Sequence, residues 1–134
     1  RLVDMGVPPY LFAGTLNVTA AQRLVRLLCP HCKEKEEEAN LVFPSSFQQP
    51  YAIKNAYKPK GCEKCHYTGY IGRRALYEII PLDGELSEKV KSEEFNVDEL
   101  LKAKKIESIP NKAFDLLASG DTSMDEVYYL LMTN

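Results

Sequence analysis

Apolar residues recur at intervals of three and four through the first 28 positions. Leu16, Ala20, Leu24 and Leu27/Leu28 make one stripe, with Gln22, Arg23 and Arg26 off it. That period is helical, and Pro8-Pro9 suit a first helical turn. The pattern therefore predicts a helix over 1–28, weakened at Gly14, that delivers the chain to Cys29. Further on the period changes. Arg74–Ile80 reads as a β-rich alternating strand, closed by Pro81. Helices are predicted from there to the end. Asp83 caps one over 84–92, and Ser92 or Asn96 caps another over 97–106 with Val97, Leu100, Leu101 and Ile106 inward. Ser108 and Pro110 open a third over 109–119, which Gly120 closes. Thr122 caps the last, with a capping-box pattern at Ser123-Met-Asp-Glu126 and an apolar face of Met124, Val127, Leu130 and Leu131.

The middle of the chain is less regular. Residues 33–38 are a charged run, read as solvated surface. Residues 39–60 carry Pro44, Ser45, Ser46, Pro50 and Pro59 and read as loop. Within it Phe43, Phe47 and Tyr51 recur every four residues and are available to pack around a nearby site. Gly61, Gly69 and Gly72 punctuate short elements that turn tightly. No internal repeat is evident.

The length of 134 residues suits one domain or two small pieces. Lys plus Arg is 17 and Asp plus Glu is 19, a formal charge of −2. That excludes a strongly basic nucleic-acid binder and a polybasic membrane anchor. No apolar run approaches the roughly 18 residues of a membrane span, and no signal-peptide pattern opens the chain. Arg1 enters in mid-pattern without an initiator Met, as expected of part of a longer protein.

The chemistry lies in four cysteines. They form Cys29-Pro-His-Cys32 and Cys62-Glu-Lys-Cys65, with 29 residues between the pairs. Two residues between cysteines let both sulfurs face one side of a tight turn, and a second pair completes a tetrahedron. The leading reading is a closed structural zinc site made by Cys29, Cys32, Cys62 and Cys65, without an open position for a catalytic water. Two disulfides, a dithiol redox pair and a four-thiolate iron–sulfur cluster are the alternatives. His31 and His66 flank cysteines and read as bystanders. Four thiolates on a divalent ion leave a formal −2, which Lys33, Lys58, Lys60, Lys64, Arg73 and Arg74 are placed to offset, unless they are simply solvated. No phosphate-binding loop, dinucleotide fingerprint or nucleophile elbow is present, so the stretch holds no catalytic constellation.

Three stretches carry a family resemblance. Arg1-Leu-Val-Asp-Met-Gly6 through Ala21-Gln-Arg-Leu-Val-Arg26 runs into the first cysteine pair. Cys62–Cys65 leads into Gly69-Tyr70-Ile-Gly72-Arg73 and Tyr77-Glu78. The end carries Gly120-Asp-Thr122-Ser-Met-Asp-Glu126-Val127. Together they resemble the C-terminal part of the ATPases of type II secretion and type IV pilus assembly. Ala75 stands where that family often has Gly. The resemblance implies an α+β chain in three parts. Residues 1–28 would end a RecA-like ATPase core with a helix, 29–80 would form a tetracysteine zinc module with a short strand, and 81–134 a helical subdomain. It implies structural Zn²⁺ here, with ATP and Mg²⁺ bound in the parent protein by residues outside this stretch, which alone would not hydrolyse ATP. It further implies a cytoplasmic hexamer, peripheral at the inner membrane through secretion or pilus platform proteins, without nucleic acid. Arg73 would contact nucleotide or a neighbouring subunit; otherwise Arg73 or Arg74 neutralises the thiolates or pairs with Glu78. The rival readings are a free-standing zinc-ribbon adaptor for protein or nucleic acid, with Tyr57, Tyr67 and Tyr70 among the basic residues, and a small redox protein.

Overall fold

Pro8 and Pro9 start a short helix, α1 (Pro9–Ala13), at the position where a fixed φ and a missing N–H cost least. It stops at Gly14, and the chain then becomes strand β1 (Val18–Leu28). The helix expected across 1–28 is therefore confined to five residues. The stripe that suggested it does not share one face: Leu24 is exposed at 56% while its neighbour Val25 is fully buried. Val25 and half-buried Leu27 alternate with exposed Leu24 and Arg26, the two-residue period of a strand.

The computed structural model describes residues 2–93 and 98–132. Strand β1 pairs with the fourth strand of the chain, β4 (Tyr70–Pro81). The pairing is antiparallel: Cys29 N–H meets the Gly69 carbonyl at 2.9 Å at one end, and Leu82 N–H meets Asn17 O at 2.8 Å at the other. Strand β4 begins four residues earlier than its sequence pattern indicates. Between them lies a short antiparallel ladder of β2 (Glu34–Lys35) and β3 (Tyr57–Lys58), in register Glu34 to Lys58 and Lys35 to Tyr57. Part of the charged run thus pairs in a sheet, and Lys60 reaches back to Glu34 at 3.3 Å.

Among the described residues four helices follow: α2 (Gly84–Lys91), α3 (Asp98–Ala103), α4 (Ile109–Ala118) and α5 (Met124–Met132). The chain is α+β, as expected. Asp83 caps α2 by accepting from Leu86 N–H at 3.1 Å. Ser92 ends α2 rather than opening α3, its N–H bonding Glu88 O at 2.9 Å. The alternative cap Asn96, and Val97, lie outside the described residues. Ser108 caps α4, accepting from Asn111 N–H at 3.4 Å. Helix α4 ends in a Schellman motif, with Gly120 N–H on Leu117 O (3.1 Å) and Asp121 N–H on Leu116 O (3.3 Å). Gly120 takes φ +83° there, which L side chains rarely adopt.

The chain divides into two compact units, residues 1–21 with 78–107, and residues 22–77 with 108–134. Each is assembled from two stretches, where the sequence reading set its boundaries at 28 and 80. In the first unit α1 packs against α2, with Ala13 and Leu86 buried and Lys104 paired with Asp83. In the second, Val25 of β1 and Leu76 of β4 join Ile53 and Ala56 beneath Phe114, Leu117, Val127 and Leu131 of α4 and α5. Phe43, Phe47 and Tyr51 pack on Phe114, with ring centroids 6.0, 5.6 and 4.9 Å away, rather than around the cysteines. The Tyr51 hydroxyl donates to Asp115 Oδ1 at 2.6 Å. That bond, with burial, pushes the phenol up to about 12.

Candidate metal centre

Strand β1 carries the chain straight into Cys29, which is fully buried. The loop closes on itself, with Lys33 N–H on Cys29 O at 3.1 Å. The chain leaves through β2 and returns through β3, so the ladder brings Cys62 alongside. From Cys62 in extended backbone, a single 3-10 turn (Glu63–Cys65) reverses the chain. His66 and Tyr67 complete the reversal in left-handed backbone, at φ 53° and 60°. Tyr67 N–H returns to Cys62 O at 2.8 Å, and the Thr68 hydroxyl donates to Cys65 O at 2.7 Å. Gly69 follows at φ +85°, where a Cβ would lie 2.5 Å from that of Pro59. Only glycine brings the backbone this close, and the approach aims Gly69 N–H at a sulfur.

The four sulfurs converge within 4.8 Å of one another. Cys29 Sγ lies 3.7 Å from Cys62 Sγ, and Cys65 Sγ lies 3.8 Å from both Cys32 Sγ and Cys62 Sγ. Sulfurs bonded at about 2.3 Å to a tetrahedral zinc sit about 3.8 Å apart, so the donor set fits that ion. A disulfide needs about 2.05 Å, and all four thiols are free.

Backbone amides, not side-chain cations, surround the sulfurs. Gly61 N–H donates to Cys32 Sγ at 3.4 Å, and Cys62 and Gly69 N–H both donate to Cys65 Sγ at 3.2 Å. Burial pushes the Cys65 thiol up, but these two amides and the neighbouring sulfurs reverse it, to about 6. At Cys32 burial prevails over the Gly61 amide, and the adjacent sulfurs add to it, lifting the thiol to about 11. Without a cation, four crowded sulfurs cannot all ionise against one another. A bound divalent ion would remove that conflict by holding each as thiolate.

Three of the six basic residues expected to offset the cluster, Lys33, Lys60 and Arg74, are engaged elsewhere. Lys33 Nζ donates to Gly120 O at 2.9 Å, and Arg74 faces Asp121 at 3.8 Å rather than Glu78. Arg73 is exposed on β4, and its guanidinium makes no ion pair among the described residues. His31 and His66 are exposed and stand outside the sulfur group.

One set of supporting residues escaped the sequence reading. The Arg26 guanidinium lies 4.2 Å over the Tyr70 ring and pairs with Glu126 at 2.9 Å. The Tyr70 hydroxyl meets Ser123 Oγ at 2.6 Å, and the Thr122 hydroxyl donates to Arg26 O at 2.8 Å. This network clamps the turn before α5 onto the strand ends that carry the cysteines. Its residues lie about 50 to 100 positions apart, too far for local pattern to link them.

No helix among the described residues is long and apolar enough to cross a membrane. Residues 1–129 match the model of a family described as type II/IV secretion system protein. Similar relatives include the type II secretion system ATPase E of Vibrio cholerae, 38% identical over 132 residues, which are 95% of this chain and 25% of the relative. The type IV pilus assembly ATPase TfpB of Acinetobacter baylyi is 41% identical over 135 residues, 95% of this chain and 22% of the relative. The type II secretion system protein E of Aeromonas hydrophila is 33% identical over 132 residues, 95% of this chain and 26% of the relative. The chain thus spans about a quarter of the length of the curated relatives it matches. With nearly every residue inside the matched span, and the tetracysteine group its sequence implied brought together in space, this chain belongs to the type II/IV secretion system protein family.

Proposed function

We propose that this chain is the zinc-binding C-terminal part of a hexameric ATPase that powers type II protein secretion or type IV pilus assembly. The observation that carries the reading is the four-sulfur cluster within a chain whose relatives are named as such ATPases. Cys29, Cys32, Cys62 and Cys65 would hold Zn²⁺, which supplies a closed, redox-inert crosslink with no open coordination position. All-sulfur donors favour zinc over harder cations, and the metal's binding free energy becomes folding free energy in a small module.

ATP and Mg²⁺ bind elsewhere in the longer protein, and the stretch seen here transmits rather than hydrolyses. Its partners are neighbouring subunits and platform proteins of the inner membrane, at which the cytoplasmic assembly is peripheral. Arg73, exposed and free of ion pairs among the described residues, is the residue we assign to a subunit or nucleotide contact. ATP turnover tests the reading. The longer protein should hydrolyse ATP, and residues 1–134 alone should not. An inert longer protein, or turnover by this stretch by itself, overturns it.

A further inference from the structure

The first cysteine loop is bracketed by two bonds to a single turn. Leu28, immediately before Cys29, gives its N–H to Asp121 O at 2.7 Å. Lys33, immediately after Cys32, gives its ammonium to the preceding carbonyl, Gly120 O, at 2.9 Å. These carbonyls belong to the Schellman turn that ends α4, where a cation is favoured by the helix dipole. The ammonium is held from the other side by the Tyr57 ring, 4.4 Å away, and Tyr57 is itself fixed by the β2–β3 ladder. Tyr57 and Gly120 are in turn closely fitted. A Cβ on Gly120 would stand 2.7 and 2.9 Å from two carbons of that ring. Lys33, Tyr57 and Gly120 thus form one packed lock between the cysteine loop and the end of α4.

We propose that Lys33 is a positioning residue for the metal centre: with the Leu28 amide it pins the Cys29–Cys32 loop to the Gly120–Asp121 carbonyls, so that metal retention and the order of the turn after α4 are coupled. The proposal rests on the zinc reading above. Coupling between two equilibria is reciprocal. A firmer turn strengthens metal binding, and the bound metal protects the turn; weakened binding shows mostly as faster release.

The test is zinc transfer from the full chain to a chromogenic chelator, together with amide hydrogen exchange. Lys33→Met keeps the apolar stem and removes the donor, and should release zinc roughly ten-fold faster, the scale of losing an outer partner of a metal ligand. Lys33→Arg keeps a donor and a cation over the ring, and should restore nearly the wild-type rate. Gly120→Ala keeps the lysine but drives a methyl into the Tyr57 ring that holds its ammonium, and should also speed release. In the wild type, stripping zinc should accelerate exchange at the Gly120 and Asp121 amides as well as in the cysteine loops, a readout that needs no variant to fold. Release from Lys33→Met at the wild-type rate, an equally fast Lys33→Arg, or unchanged Gly120 and Asp121 exchange on zinc removal overturns the proposal. Wild-type protein that carries no zinc overturns the metal reading and this inference with it. Wild type with one zinc and an unaffected Lys33→Met overturns this inference alone.

Discussion

At the scale of single residues, Cys29 shows how little slack the centre has. It is fully buried, 3.7 Å from Cys62 Sγ, and its N–H is bonded to Gly69 O. A serine there replaces a soft thiolate with a poor ligand in the same shape. Cys29→Ser should release the metal and expose residues 29–80 to protease, detectable by metal assay and limited proteolysis. A variant that keeps one zinc and native protection contradicts the ligand assignment. The grouping of the four cysteines was legible from spacing alone, because two intervening residues constrain where sulfurs can point. The amides of Gly61, Cys62 and Gly69 were not, because an N–H direction is set by the turn's backbone. Three of the basic side chains that looked like the natural counter-charge, Lys33, Lys60 and Arg74, instead serve Gly120, Glu34 and Asp121.

Glu126 carries a prediction of a different kind. Burial raises its carboxyl, but the Arg26 guanidinium and Arg26 N–H outweigh burial and hold it below the ordinary 4.5. A depressed folded-state value stabilises the protein above the unfolded value and is lost as pH falls through the folded one. Glu126→Gln should therefore cost about 1.5–3 kcal/mol at neutral pH, the scale of hydrogen bonds to a charged group. The gap between wild type and variant should narrow as pH drops below 4.5. Denaturant unfolding of both proteins across that range checks it. A gap that is constant with pH contradicts the assignment.

At the scale of elements, periodicity read the C-terminal helices well and the first strand badly. Helices α2 and α4 fall within a residue of their expected spans because Asp83, Ser108 and Pro110 act locally. Strand β1 was missed because its leucines happen to repeat at helical intervals. Pairing with β4, a partner some 50 residues away in the chain, overrides that local signal. Helix α5 shows the same contest at its cap. Ser123 accepts from Glu126 N–H at 3.3 Å, so the capping position is one residue after Thr122. Thr122 is drawn away to Arg26 O, and the Glu126 carboxylate goes to Arg26 rather than back to the cap. Both departures serve the clamp between α5 and the strand ends.

At the scale of the whole molecule, the mixture of strand and helix and the grouping of the cysteines were readable in advance, but the assembly of the compact units was not. Each unit takes residues from two distant stretches, and no local composition shift marks such interleaving. The core of the second unit is small, centred on Phe114, Leu117, Val127 and Leu131, and a small core gains most from a metal crosslink. That makes the proposed zinc site central to this unit. Elemental analysis of the purified chain, paired with thiol titration before and after chelation, is its most direct test. One zinc per chain is expected, with four thiols that react only after the metal is stripped. A chain isolated without metal, its thiols freely reactive or bridged in pairs, would contradict it.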